Sequence, residues 1–233
     1  MVAVQHNDLK VLVFSFASAV EFTFNGFNSS SSELLLYGGA TIDSGALSLN
    51  RNSTFSIGRA LYHAKVPTRS SPNTTDLLNF STSFTFSITP FKDRLPGHGF
   101  VFAFVPSVGL QGASSSQHLG LFNQTNNGEP NNHVFGVEFD VFQNEEFGDI
   151  NDNHVGVDVN SLTSIVSRRA GYCVTLANAN HEKKPQRALI EVPFDLSRVF
   201  LDEMHVGFTA STGQLLESHK IIDWSFNSLV TIA

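Results

Sequence analysis

Residues 134–161 read VFGVEFDVFQNEEFGDINDNHVGVDVNS, two strand-like runs joined by an acidic loop. In the first run Phe135, Val137, Phe139 and Val141 point to one side of a pleated strand. Glu138 and Asp140 therefore share the other side, ~6–7 Å apart along the strand. The second run repeats the logic, with Val155, Val157 and Val159 on the core side and His154, Gly156 and Asp158 opposite. The connecting loop adds Asn144, Glu145, Glu146, Asp149, Asn151 and Asp152. Two carboxylates on a mostly apolar strand repel and are costly to desolvate unless something compensates. Two readings follow. A cation compensates them, with oxygen ligands suiting calcium and a nearby imidazole suiting a transition ion such as manganese. Alternatively, the loop is a solvated acidic edge with Glu138 and Asp140 exposed.

The same period of two runs through the chain. Over 80–88, Phe80, Thr82, Phe84, Phe86 and Ile88 alternate with Ser81, Ser83, Thr85 and Ser87, which predicts a half-buried strand with a solvated hydroxyl face. Residues 100–105, FVFAFV, are apolar on both sides and belong in the middle of a sheet. Further strands are predicted over 20–25, 33–37, 46–49, 59–63, 133–142, 154–159, 188–193, 203–210 and 218–226. Turn signals such as Asp43-Ser44-Gly45, Gly97-His98-Gly99 and Asn126-Asn127-Gly128 separate them. One helical turn is expected over 195–200, capped by Asp195. Many short strands, almost no helix, no repeat and no linker predict one all-β domain, a sandwich or jelly roll.

Composition narrows the function classes. The 233 residues carry a net charge of −7 and no basic run, which argues against nucleic acid. No apolar run reaches the ~20 residues of a membrane span. The single cysteine, Cys173, excludes an intrachain disulfide. Five N-x-S/T triplets, at Asn28, Asn52, Asn73, Asn79 and Asn123, point to a secreted, glycosylated chain. Residues 1–19 read as a signal peptide: Lys10, an apolar run over 11–19, and a small-x-small end at Ala17-Ser18-Ala19. The competing reading of that segment is a buried first strand.

The spacing Glu138-x-Asp140-x-Phe142-x-Asn144, then Asp149, then His154-Val155-Gly156-Val157-Asp158, resembles the metal loop of the legume (L-type) lectins. Phe22-Thr23-Phe24-Asn25-Gly26-Phe27, Gly58-Arg59-Ala60-Leu61-Tyr62, Leu119-Gly120-Leu121-Phe122-Asn123, residues 206–213 (VGFTASTG) and Asp223-Trp224-Ser225-Phe226 extend the resemblance over residues 20–233. Gly97-His98-Gly99 and residues 148–154 (GDINDNH) are most similar to the extracellular domains of plant lectin receptor-like kinases. The resemblance implies a concanavalin-like jelly-roll β-sandwich. It implies that Glu138, Asp140, Asp149 and His154 hold Mn2+, and that Asp140, the Phe142 carbonyl, Asn144 and Asp149 hold Ca2+. Both ions are then structural. It also implies a glycan or other small extracellular ligand, a cell-surface or apoplastic setting in signalling or defence, and a homodimer through edge strands.

Two features depart from that family. Where sugar-binding members carry an Asp, this chain has His98; a carboxylate only accepts, whereas a neutral imidazole offers one donor and one acceptor. Of the other ligand positions the resemblance implies, Phe142 and Asn144 are kept, Gln117 replaces a glycine, and Gln214 and Leu215 fall in the specificity loop. The second departure is a gap: after Tyr172 about two strands near 172–174 are absent relative to the family, which would leave unpaired ladder groups and bare apolar faces. Three functions therefore compete: a carbohydrate-binding module with no catalytic residues, a degenerate lectin domain binding a non-sugar ligand or partner, and a β-sandwich glycoside hydrolase. The last is the weakest, since the third acid of an E-x-D-x-x-E pattern is Gln143 here. The histidines at 63, 133, 181, 205 and 219 have no metal spacing and read as surface or satisfied residues, and Cys173 reads as a small buried hydrophobe.

Overall fold

The computed structural model describes residues 20–28, 32–91, 95–170, 189–190 and 192–229. The expected signal peptide, the segment of the expected gap, His181 and Cys173 lie outside them.

Thirteen strands occur among the described residues: β1 (Glu21–Phe24), β2 (Leu34–Gly38), β3 (Thr41–Asp43), β4 (Ala46–Ser48), β5 (Ile57–Tyr62), β6 (Val66–Pro67), β7 (Asn79–Pro90), β8 (Gly99–Val105), β9 (Phe135–Asp140), β10 (His154–Val159), β11 (Val166–Arg169), β12 (Glu203–Ser211) and β13 (Glu217–Leu229). Every pairing is antiparallel. In one sheet the long β13 takes β7 along one edge, and β4 and then β1 along the other, with β3 outside β4. The other sheet runs β11-β10-β9-β8-β12-β5-β2, and β6 pairs with the start of β12.

Aromatic rings join the two sheets. Phe84 of β7 meets Phe208 of β12 at 5.0 Å, Trp224 of β13 meets Phe208 at 4.9 Å, and Phe80 meets Phe104 at 4.7 Å. Flat rings at these separations gain contact energy beyond their buried area. The FVFAFV segment is β8, fully buried along its length between β9 and β12. Phe100, Phe102 and Phe104 face the space between the sheets, while Val101, Ala103 and Val105 join a second core with Leu119, Phe122 and Leu162. The all-β sandwich expected from the alternation is the fold observed.

Two expectations needed correction, the strand over 188–193 and the single helical turn of the chain, while the turn over 195–200 formed as expected. No strand forms at 188–193 among the described residues: Leu189 and Val192 are exposed, and Pro193 has no N–H for a ladder. The segment at 195–200 is a single turn in which the Val199 and Phe200 N–H groups both donate to Leu196 O, with Asp195 Oδ1 accepting from the Ser197 N–H at 2.8 Å. Three short 3-10 turns, Ser116–His118, Pro130–Asn132 and Glu145–Phe147, are invisible to periodicity because each has only three residues.

Candidate ligand groove above an acidic hairpin

The hairpin of β9 and β10 pairs His154 with Asp140, Gly156 with Glu138 and Asp158 with Gly136. Cross-strand partners share a face, so Glu138, Asp140, His154 and Asp158 all lie on the side away from the aromatic core. They are not solvated: Glu138 is 2 %, Asp140 3 %, His154 1 % and Asp158 1 % exposed. The reading in which Glu138 and Asp140 are exposed is therefore excluded, while Glu145 and Glu146 of the loop are solvated as expected.

Gly156 makes the cluster sterically feasible, since a Cβ there would sit 2.4 Å from Glu138 Oε1 and 2.0 Å from Ser164 Oγ. Ser164 Oγ lies 2.8 Å from both Glu138 Oε1 and Asp158 Oδ1. His154 Nε2 lies 3.3 Å from Glu138 Oε1 and 3.7 Å from Asp149 Oδ1. Its Nδ1 is 2.9 Å from Asn151 O. That carbonyl accepts from Nδ1–H, which leaves Nε2 as the nitrogen that would give up its proton to bind a metal. The ligand atoms of Glu138, Asp149 and His154 all fall within 4.8 Å of one another. Asp140 stands beside them but turns Oδ1 to the Phe142 N–H at 2.7 Å, while Asp149 Oδ2 accepts from the Asn144 N–H at 2.6 Å.

Three carboxylates face one imidazole, with Asp158 joined to Glu138 through Ser164, and their protonation shows the cost. Burial, then the nearby Glu138, hold the Asp140 carboxyl well above its usual range; the same two causes act on Asp158. Burial raises Asp149 to about 6. Burial alone would lower His154, but its hydrogen bond and charge contact with Glu138, then Asp140 and Asp149, bring it up to about 9. Asn144 Oδ1 is buried and receives no hydrogen bond of good geometry, although its side chain lies against the His98 ring. An orphaned amide oxygen beside uncompensated carboxylates and an imidazole is a donor set that fits a divalent cation.

The loop leaving β9 carries Phe142 to Glu146 into the wall of a groove of about 840 Å³. His98, Gln117, Phe142, Asn144, Gln214 and Leu215, the six residues singled out from sequence, all line it, together with Phe55, Gly97, Ser116, Gln143, Glu145 and Glu146. His98 is 8 % exposed and has φ 62, and its ring lies 4.8 Å from the Phe142 ring. Burial pushes its pKa down to about 4, so it is neutral at physiological pH, and its Nδ1 has no partner. Gly213 abuts it: a Cβ there would lie 2.7 Å from His98 Nε2. Beneath, Glu217 Oε2 accepts from the Gly97 N–H at 3.1 Å and Glu217 Oε1 lies 2.7 Å from His219 Nε2, both side chains fully buried. His219 is thus a buried core residue paired through Nε2 while its Nδ1 finds no partner, and His133 Nδ1 lies 3.0 Å from Val199 O.

Sequence reasoning missed Ser164, Glu217 and Phe55. Ser164 and Glu217 act through contacts between distant segments and leave no local pattern. Phe55 left one signal, an aromatic inside a polar loop.

The family model of the legume lectin domain matches residues 19–181 and 172–232. The chain is 48% identical over 252 aligned positions to the L-type lectin-domain containing receptor kinase VII.1 of Arabidopsis thaliana, covering 92% of this chain and 36% of that protein. It thus spans about a third of that relative's length. That alignment is longer than the 233 residues of the chain, so this chain carries gaps against the kinase. A lectin-like protein of the same plant is 43% identical, with 91% of each chain covered. Among solved structures, the winged bean acidic lectin complexed with methyl-α-D-galactose superposes with a TM-score of 0.72 at 28% identity, over 91% of this chain and 98% of that one. Sequence, fold and the residues of the acidic hairpin agree, and the chain belongs to the legume lectin domain family.

Proposed function

We propose that this chain is an extracellular carbohydrate-binding module whose groove is held in shape by structural calcium and manganese ions. The observation that carries the reading is the union of two features: six residues from four separate segments converge on one groove, and one wall of it is the loop over the acidic hairpin. Glu138, Asp149 and His154 would hold the transition ion, with Asp140 shared. Asp140, Asp149, Asn144 and the Phe142 carbonyl would hold calcium. Bound ions supply charge compensation to the buried carboxylates. The chain's own residues do the rest. Asp140 and Asp149 already accept the Phe142 and Asn144 N–H groups, so fixing those carboxylates fixes the loop. Phe142 presents a ring face to a sugar, and neutral His98 offers one donor and one acceptor.

Further parts of the reading are a signal peptide over residues 1–19, and a lectin domain over 20–233 shortened by about two strands near 172–174. Gaps against the kinase relative support the shortening. The likeness to receptor-kinase and lectin-like proteins supports a cell-surface or apoplastic setting in signalling or defence, and a homodimer through edge strands is part of the same proposal. Hydrolysis fits poorly, because Glu138 and Asp140 are buried under the loop and no glycosidic bond can lie between them.

The test is a glycan array probed with metal-loaded protein, chelated protein and Phe142→Ala. Binding to a defined subset that drops at least about ten-fold on chelation and in the variant is expected. Failure across the array with both ions shown bound by elemental analysis would overturn the carbohydrate reading.

A further inference from the structure

The smaller sheet ends at β7, whose one strand neighbour among the described residues is β13. Alternate residues of this 12-residue strand turn their N–H and C=O groups away from β13, toward an edge that no described strand pairs. Proteins blunt edges of that length with charge, proline or a bulge. From Asn79 to Thr89 β7 has no charged residue and no proline, and the register shift of the pair lies on β13, between Ile221 and Asp223. Above this edge the larger sheet overhangs. Phe86 meets Phe100 of β8 and Phe139 of β9, each at 4.9 Å, and Phe84 meets Phe102 of β8 at 5.7 Å, so β7 lies beneath β8 and β9. β10 and β11 follow β9 in the sheet and reach ~10 Å beyond it, two strand spacings.

Cross-strand pairing arranges the underside of the overhang in rows: Phe135 with Val159, Val137 with Val157 and Val166, and Phe139 with Val155 and Arg168. Every apolar member is half-buried. Arg168 ends the third row exposed, with no ion pair among the described residues. Packed sheets stand ~10 Å apart, which is the room of one strand layer and its side chains. The notch therefore has a main-chain wall, an apolar roof and a cation at its far end. Its shape decides the occupant. A second copy pairing its own β7 antiparallel would carry its larger sheet on the same side, and β10 of one copy would fall on β9 of the other. An extended segment brings no such obstruction. We infer that the notch takes an extended segment of another polypeptide, added to β7 as a strand, with alternate apolar side chains under Val159 and Val157 and an acidic one in the row of Val155 and Arg168. Main-chain hydrogen bonds to β7 supply affinity, the apolar rows decide which face turns inward, and Arg168 sets the register. The notch shares no residue with the groove around His98 and Phe142.

The probe is a labelled peptide of alternating valine and threonine, about 12 residues long to match β7, with one valine replaced by aspartate or by lysine. Its binding to the metal-loaded chain is followed by fluorescence anisotropy. The aspartate peptide should bind at least about five-fold tighter than the lysine peptide, and Arg168→Glu, a change at an exposed position, should reverse that preference. Two further peptides carry N-methyl groups on every valine nitrogen or on every threonine nitrogen, which removes the donors of one strand edge at a time. One should bind within about three-fold of the parent, and the other, methylated on the edge that meets β7, should lose at least about ten-fold. Simple adhesion to an open apolar patch would treat the two alike. Failure of both charge forms to bind, equal effects of the two methylations, or a charge preference unmoved by Arg168→Glu would overturn the inference.

Discussion

The centre of the larger sheet and its β9–β10 wing are buried in opposite senses. In β8 every residue is sealed, by aromatic rings on one face and by Val101, Ala103, Val105 and their neighbours on the other. In β9 and β10 the apolar residues Phe135, Val137, Phe139, Val155, Val157 and Val159 are only half-buried, and the fully buried positions hold Glu138, Asp140, His154 and Asp158. Hydrophobic burial therefore organises the centre, whereas the wing buries charge and leaves part of its oil uncovered. A strand pair of that kind gains little from its apolar face and is penalised by its acidic one, so its order has to come from what compensates the carboxylates. The centre is a scaffold; on the function proposed above, the wing is a metal-dependent extension that carries the groove wall.

The contrast breaks most visibly at Phe102. Phe102→Ala should cost about 3–5 kcal/mol by opening a cavity in the sealed aromatic core, and the loss should be the same with metals and with EDTA. It is checked by urea unfolding in both conditions. A loss that depends on metal would mean that centre and wing are one cooperative unit.

Chelation comes next in size. Ions that bind only the folded chain at 100- to 1,000-fold over their dissociation constants stabilise it by about 3–4 kcal/mol, so EDTA should lower the midpoint by about 10 °C. In native-state hydrogen exchange the amides of Val137 and Val155 should lose protection first, with Phe102 and Phe208 protected longest. Uniform loss of protection would remove the distinction between scaffold and extension.

Acidity should separate the two forms by a smaller amount. Without metal, the raised Asp140 and Asp149 carboxyls favour their protonated forms in the folded chain. Their contribution is present at low pH and is lost as pH climbs, for Asp149 between about 4 and about 6 and for Asp140 as pH rises through its own raised value. His154, raised to about 9, contributes below its unfolded value of about 6.5 and loses that contribution as pH rises through about 9. The chelated protein should thus become steadily less stable from pH 4 to pH 9. Metal competes with the same protons, so affinity should fall about ten-fold per unit from pH 9 to pH 6 and more steeply below it. Midpoints measured at pH 5, 6, 7 and 8 should show a chelation effect that grows with pH. A chelation effect largest at pH 5 would sink the assignment of these groups as ligands.

The reach of the sequence follows the same division. The centre was legible because FVFAFV is apolar at every position, and only a strand flanked on both sides and covered on both faces tolerates that. The acidic hairpin was legible because its partners sit within one local pair of strands, so a period of two placed Glu138, Asp140, His154 and Asp158 together without knowledge of the rest of the fold. Its depth was not: alternation says which way a side chain points, while burial depends on what lies above it, here Ser164 and the 141–149 loop. The groove was not derivable from patterning at all. Its walls come from residues 55, 97–98, 116–117, 142–146 and 214–215, and only family resemblance drew most of those positions together, leaving Phe55 unnoticed.

The smallest effect bears on the wing's open face. Val157 sits in the middle of β10 opposite Val137 and is half-buried on the side toward the core. Val157→Thr keeps the shape and the β-branch and adds a hydroxyl. Fully burying a valine is worth about 1.5–3 kcal/mol, so a position with its neighbours only partly in place should lose less than about 1 kcal/mol, because water reaches the new hydroxyl. The equivalent change at Val101, which is sealed, should cost at least about twice as much. Equal losses at the two valines would show that the inner face of the wing is covered in solution, by another part of the chain or by a second copy. The wing would then be held by packing as the centre is, and its dependence on metal would shrink accordingly.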